Sequence, residues 1–165
     1  MRILKNIASN LHIFLIWAVL SAMLWSWIFT LVTDTSPDKK VTVYCHVPEV
    51  QDTALAIELE KDMPEGLKMI KVHSFDYAMF NVESISSGDI FIIPVSEIQQ
   101  FARDLAPVGG ENGVKVYDSE TGTGIAAEYI SYGDEDYYLF LGAGSAHLED
   151  GKALAVAGSL LKISS

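Results

Sequence analysis

The stretch GDIFIIPVSEIQQFARDLAP, residues 88–107, predicts the fold most directly. Residues 90–93 form an uninterrupted apolar run, which is typical of a strand covered on both faces. Ser96 and Gln99 have the spacing of a capping box at the start of a helix. The apolar stripe of that helix is expected to consist of Ile98, Phe101, Ala102 and Leu105. The stretch therefore predicts a buried strand followed by an amphipathic helix, the repeating unit of α/β proteins.

Two further strand and helix pairs precede this stretch. Residues 41–47 and 67–72 have the composition of strands, and Asp52 can cap the helix between them. The inward face of that helix is expected to contain Leu55, Leu59 and Met63. A short helix is predicted to begin at Ser74. Three strand and helix units in succession indicate parallel strands joined by right-handed crossovers.

The pattern changes after Pro107. Residues 114–117 and 123–129 are predicted to pair as a hairpin, and residues 137–141 form a further strand. Asp150 can cap a final helix. The inward positions of this helix are expected to be Leu154, Ala157, Leu160 and Leu161. We therefore predict an α/β domain with a mostly parallel sheet of about five strands flanked by helices.

The amino-terminal part of the chain suggests a membrane anchor. Residues 11–32 contain no charged side chain, and at ~1.5 Å per residue a helix of this length covers the ~30 Å hydrocarbon core of a bilayer. An uncleaved signal anchor is favoured over a cleaved signal, whose apolar region is usually only ~7–15 residues long. The expected organisation is a cytoplasmic leader at 1–10, a single-pass helix at 11–32, a linker at 33–40 and an extracytoplasmic domain at 41–165. The protein is thus expected in the cell membrane, with the lipid bilayer as a partner of residues 11–32.

Charge excludes one class of function. All 22 Asp and Glu residues follow the apolar run, and the whole chain has a formal charge of −11. Such a surface repels phosphate backbones, so nucleic-acid binding is not expected. The single Cys45 permits no intrachain disulfide, and its place in a predicted strand indicates a small buried side chain rather than a reactive thiol.

Two segments carry a family resemblance. Residues 88–94, with the capped helix and DLAP at 104–107 behind them, resemble a passage in the first lobe of extracellular solute-binding proteins with the type 2 periplasmic-binding-protein fold. Residues 137–145, YYLFLGAGS, are similar to the strand and serine loop that follow the return from that family's second lobe. The chain is too short for a second lobe. The resemblance therefore implies a single truncated lobe behind an amino-terminal anchor.

Candidate site residues follow from the predicted sheet. Ligands bind at the carboxyl edge of open α/β sheets, which makes His46, Ser74, Ser96 and Tyr129 candidate ligand-binding residues. Tyr129 and Tyr132 would form a partner-docking patch if they are exposed, since tyrosine is enriched at interfaces. Residues 142–145 resemble a phosphate cradle in composition only, and the acidic residues at 134–136 lack the spacing of a calcium loop. No catalytic residue, metal site or cofactor is expected.

Two functions remain after these exclusions. The first is a membrane-anchored extracytoplasmic module that binds a small solute or a partner protein. The second is an accessory subunit of a membrane complex such as a transporter, with no ligand of its own. An enzyme is not expected, because an α/β fold does not by itself indicate catalysis.

Overall fold

The computed structural model describes residues 11–33, 35–75, 87–110 and 112–163. The chain divides into two compact units, residues 1–35 and residues 36–165. The predicted leader at 1–10 lies outside the described residues. The same is true of residues 76–86, which contain most of the helix predicted to begin at Ser74. The predicted domain boundaries stay predictions.

The first unit contains helix α1 (Leu11–Thr33), whose side chains at residues 13–29 are exposed. Among the described residues, no helix has both the length and the apolar character that crossing a membrane requires. The prediction of a single-pass signal anchor at 11–32 is therefore wrong on this finding.

The second unit contains nine strands and three helices in its described residues. The strands are β1 (Lys40–Cys45), β2 (Glu49–Val50), β3 (Met69–Ser74), β4 (Ile90–Pro94), β5 (Leu105–Ala106), β6 (Val114–Asp118), β7 (Thr123–Gly124), β8 (Ile130–Ser131) and β9 (Tyr137–Gly142). The helices are α2 (Asp52–Glu60), α3 (Ile98–Phe101) and α4 (Lys152–Lys162), with 3₁₀ turns at Pro37–Lys39 and Val95–Glu97.

Seven strands form one mixed sheet in the order β3-β1-β4-β9-β6-β7, and β5 also pairs with β9. Strands β3, β1 and β4 are parallel, whereas the pairings of β9 with β4, β5 and β6 are antiparallel. Strands β2 and β8 form a separate antiparallel pair. The predicted mostly parallel sheet of about five strands is therefore wrong, although its first three strands are parallel.

The helix predicted after β4 is also shorter than expected. Here α3 has only four residues, and Leu105, predicted to lie on its apolar stripe, belongs to β5. Glu97 rather than Ser96 occupies the N-cap position, so the predicted capping box does not form. Strands β5 and β6 still run in the direction of β4, because all three are antiparallel to β9, which lies between β4 and the other two.

One face of the sheet is the main apolar core. Val41, Val43 and Cys45 of β1 are fully buried on this face. Helix α2 contributes Leu55 and Leu59, as predicted. Helix α4 buries the set Ala153, Val156, Ala157 and Leu160.

The apolar phase of α4 is partly different from the prediction. Leu154 is 42% exposed, whereas Ala153 is fully buried. Small side chains at 153 and 157 allow the helix to pack closely on the sheet, so size complementarity selects them over the larger leucine. Gly151, with a φ of 74°, occupies the N-cap position, and Asp150 accepts a hydrogen bond from the Lys152 N–H.

Candidate functional site

The opposite face of β1 and β3 is polar near the start of these strands. A cavity of about 240 Å³ opens there. It is lined by Pro37, Lys40, Thr42, Tyr44, Lys71, His73, Ser87, Asp89 and Ala146. The side chains of a strand alternate between its two faces, so every second residue of β1 and β3 reaches this cavity while the residues between them enter the core. The parallel strands therefore position the site directly.

Positive side chains converge on one side of this cavity. Lys71 is the register partner of Thr42, and His73 is the register partner of Tyr44. The rings of Tyr44 and His73 stack with centroids 5.6 Å apart. Partial burial lowers the pKa of His73, and the charges of Lys71 and Lys40 lower it further. The basic groups are thus close enough to interact electrostatically.

A buried carboxylate, Asp89, lines the same cavity from the start of β4. Its Oδ2 accepts a hydrogen bond from the Thr42 N–H at 2.7 Å, and its Oδ1 accepts one from the Ser145 hydroxyl at 2.5 Å. Burial raises the pKa of Asp89, while these two hydrogen bonds act in the opposite direction. The cavity therefore contains cationic groups on β1 and β3 and a fixed carboxyl group beside β4.

His147 supports this carboxyl group from behind. Its backbone N–H donates to Ser145 Oγ at 3.0 Å, and its ring is almost completely buried. Nε2 lies 3.1 Å and 3.2 Å from the carbonyl oxygens of Pro37 and Lys40, which can only accept, so Nε2 carries a hydrogen. Nδ1 lies 3.0 Å from Asp150 Oδ2. The ring thereby ties the segment before β1 to the loop after β9.

Gly142 permits the close contact between β4 and β9 beside Asp89. A Cβ at this position would lie 1.9 Å from the carbonyl oxygen of Gly88, which no side chain can tolerate without a backbone shift. The Gly142 N–H donates to the Asp89 carbonyl at 2.9 Å. Within the segment 142–145, Gly142 and Ser145 thus hold Asp89 in place.

Three of the predicted ligand-binding residues lie at the carboxyl ends of the parallel strands, away from this cavity. His46 Nδ1 lies 2.8 Å from Glu97 Oε2, and its ring stacks on Phe75 with centroids 4.6 Å apart. Ser74 is the last residue of β3, and the Ser96 N–H donates to Glu135 Oε2. The structure therefore brings His46 near the chain neighbours of both serines, as expected for a sheet edge.

Tyr129 lies elsewhere, against helix α2. Its hydroxyl donates to Glu58 Oε2 at 3.4 Å, and it borders a second cavity of about 430 Å³. Tyr132 is half-buried, with its ring stacked 4.5 Å from that of Tyr117 and its hydroxyl donating to the Ile125 carbonyl. Burial raises the pKa of both phenols. The ligand-binding assignment of the four residues and the docking assignment of Tyr129 and Tyr132 stay predictions.

Metal and thiol chemistry find little support in the described part of the chain. No group of three or more His, Cys, Asp and Glu side chains there has a geometry that could hold a metal ion. Cys45 is fully buried, which raises the pKa of its thiol to about 12. A thiol with such a pKa stays protonated at neutral pH and is a poor nucleophile.

Sequence reasoning did not select Lys71 or Asp89, although a signal for the polar face was present. The segments KVTVY at 40–44 and IKVH at 70–73 alternate between polar and apolar residues. This period of two indicates one buried face and one accessible face. The strand register was needed to show that the two polar rows are neighbours.

Comparison with known proteins identifies no relative. No protein-family model matches the chain, and neither the curated proteins nor the solved structures contain a significant match. The resemblance to solute-binding proteins therefore stays a prediction.

Proposed function

We propose that residues 36–165 form a binding module for a small anionic solute, which is held in the cavity between β1, β3 and the start of β4. The observation that carries the proposal is the convergence of Lys71, Lys40 and His73 on one concave site of about 240 Å³. Ligand sites are typically concave and contain a few convergent polar groups.

The overall charge makes this convergence informative. The chain carries 22 acidic residues against 11 Lys and Arg. The lysines that line one side of this cavity concentrate positive potential in a concave site, and such a potential attracts an anion. An anion is thus repelled by most of the surface and attracted to this cavity.

The size of the cavity limits the solute. Pockets for drug-sized ligands have volumes of ~300–1,000 Å³, and this cavity of about 240 Å³ is smaller. It therefore suits a ligand smaller than a typical drug molecule. Phosphate, sulfate and short carboxylates belong to this class, whereas an oligosaccharide or a peptide does not fit.

We propose binding without catalysis at this site. The hydroxyl of Ser145 donates its hydrogen to Asp89 and accepts from the His147 N–H. The ring nitrogens of His147 face Asp150 and two carbonyl oxygens rather than Ser145. A serine nucleophile needs a general base within hydrogen-bond distance of its hydroxyl, usually oriented by a third group. The buried network supports the shape of the cavity instead.

The test is a titration of the full-length chain with inorganic phosphate, in which isothermal titration calorimetry measures the heat of binding. Lys71→Met keeps the aliphatic stem and removes the charge, and we expect it to weaken binding about tenfold or more. The matched control is Lys68→Met, which removes one charge three residues away, outside the cavity lining. Equal affinity in both variants, or no heat of binding in the unmodified chain, would contradict the proposal.

A further inference from the structure

We infer that the cavity selects a zwitterion, a small solute that carries an ammonium group in addition to its anionic group. This inference rests on the proposed function, because it assigns the anionic end of the solute to the lysines. It adds a second recognition group, the carboxylate of Asp89, at the other side of the cavity.

The order of strands separates the two recognition groups. Lys71 and His73 lie on β3, Asp89 immediately precedes β4, and these two strands flank β1 on opposite sides. Neighbouring strands are ~4.8 Å apart, so the backbones that carry the two charges are separated by about 10 Å. The cavity is therefore positive at one side and negative at the other, which matches a ligand with separated charges.

Asp89 retains acceptor capacity for a ligand. An ionised carboxylate offers about four acceptor positions, and the Thr42 N–H and the Ser145 hydroxyl occupy two of them. Asp89 is only 4% exposed, so a carboxylate there has lost most of its contact with water. A ligand ammonium group placed against it would supply hydrogen bonds and a compensating charge in place of that water.

The supporting network fixes the carboxylate before a ligand arrives. His147 orients Ser145 through its backbone N–H, and Ser145 in turn holds Asp89 Oδ1. Recognition groups held rigidly in the bound geometry lose less conformational entropy on binding. Asp89 is thus a preorganised acceptor, unlike the carboxylate of an exposed acidic loop.

An aromatic wall lies between the two sides. The ring of Tyr44 stacks on His73 and on Phe91, with centroid distances of 5.6 Å in both cases. Stacked rings give an apolar surface against which methylene groups can pack. An aliphatic segment that joins the two charged ends of a solute would lie on this surface. The ligand class that fits all three features is an amino acid with its amine and carboxylate separated by a short carbon chain.

The experiment is a calorimetric series on the full-length chain with glycine, β-alanine, 4-aminobutyrate and 6-aminohexanoate. Each is compared with the carboxylate of the same carbon number that lacks the amine: acetate, propionate, butyrate and hexanoate. We expect one chain length to bind best, and at that length the amine should improve affinity about tenfold or more. This comparison needs no substitution, so it does not depend on the folding of a variant.

A pair of variants assigns the effect to Asp89. Asp89→Asn preserves the size of the side chain, and we expect it to abolish the preference for the amine while the simple carboxylate still binds. The control is Asp134→Asn, which removes one charge from an exposed position and should leave the preference unchanged. Retention of the amine preference in Asp89→Asn would overturn the assignment.

The outcomes separate this inference from the proposed function. If simple carboxylates and phosphate bind as tightly as the amino acids, the zwitterion inference fails and the anion site stands. If Lys71→Met leaves all affinities unchanged while Asp89→Asn lowers them, the anion site as assigned fails. If none of the probes binds, both are overturned.

Discussion

The two faces of strands β1 and β3 differ as much as any two regions of the described protein. On one face Val41, Val43 and Cys45 are completely buried beneath α2 and α4. On the other face Tyr44, Lys71 and His73 retain access to solvent and border a cavity. Both faces are built from the same short strands. The comparison shows that a strand of six residues can support a core with alternate side chains and a binding site with the side chains between them.

The largest effect is expected from a charge on the core face. Val43→Asp would place an unpaired carboxylate at a fully buried position, and we expect a loss of about 4 kcal/mol or more in the free energy of unfolding. Urea denaturation followed by circular dichroism measures it. His73→Asp on the accessible face is the control, with an expected loss of at most about 1 kcal/mol. Similar losses in both variants would remove the distinction between the faces.

Truncation of a buried side chain in α2, which covers the core face, should have the next largest effect. Leu55→Ala removes a fully buried side chain of α2, and we expect a loss of about 3 kcal/mol, because the site cannot collapse completely around the smaller residue. Ile57→Ala on the same helix is the matched control. Ile57 is 58% exposed, so its truncation should change the free energy by no more than about 0.5 kcal/mol. Thermal and urea denaturation distinguish the two results, and a larger loss in Ile57→Ala would contradict the packing.

A third prediction concerns the contact between β4 and β9 beside the accessible face. Gly142→Ala forces a backbone shift, and we expect a loss of about 2 kcal/mol together with a weaker preference for amino acids over simple carboxylates, because Asp89 moves with this contact. Gly158→Ala in α4 meets no atom within 4 Å and should instead raise stability by about 0.5–1 kcal/mol. Opposite signs for two identical substitutions are the expected outcome of the denaturation experiment. A stabilising Gly142→Ala would show that the two strands do not approach as closely as described.

The smallest effect is a pH dependence on the accessible face. Burial, Lys71 and Lys40 lower the pKa of His73, so protonation is disfavoured in the folded protein. Folding stability contributed by neutral His73 is therefore present above the ordinary pKa of 6.5 and is lost as the pH falls through the lowered folded value. An anion bound beside the ring should raise this pKa, so that affinity for sulfate increases as the pH decreases below 6.5.

Nuclear magnetic resonance titration of the His73 ring, with and without sulfate, measures this shift directly. Sulfate is suitable because its charge does not change in this range. His73→Gln should remove the pH dependence of sulfate binding and retain most of the affinity at pH 8. An unchanged His73 pKa in saturating sulfate would place the anion elsewhere.

The elements with the strongest patterns were predictable from sequence. The apolar run at 90–93, the β-branched run at 41–47 and the leucine spacing of α2 correspond to β4, β1 and α2. These signals are local, because burial of a strand on both faces, or of a helix along one stripe, requires apolar residues at specific positions within the segment itself. The topology beyond β4 depended on the insertion of β9 between β4 and β6, a pairing between segments that are distant in the sequence. Leu105 satisfied the helical spacing but pairs with Gly142 in β5, so tertiary pairing overrode the local pattern.

The candidate site was less predictable than the fold. General rules for parallel sheets directed attention to the carboxyl edge, where His46, Ser74 and Ser96 lie. The cavity forms instead near the amino-terminal ends of β1 and β4. Strand register places Lys71 on one side of Thr42, and a hydrogen bond holds Asp89 on the other side. These contacts join positions that are 29 and 47 residues from Thr42 in the chain. Neither pairing has a local sequence signature.

The position of β9 in the sheet has a consequence for how this domain folds. Strand β9 joins β4 on one side to β5 and β6 on the other, yet it lies near the carboxyl-terminal end of the domain sequence. During synthesis the buried strand IFIIP is complete more than 40 residues before its antiparallel neighbour emerges. Until then its open edge is a template for pairing with other chains. Completion of the sheet is therefore a late, non-local step, and the interval before it is when the nascent chain is most prone to aggregate.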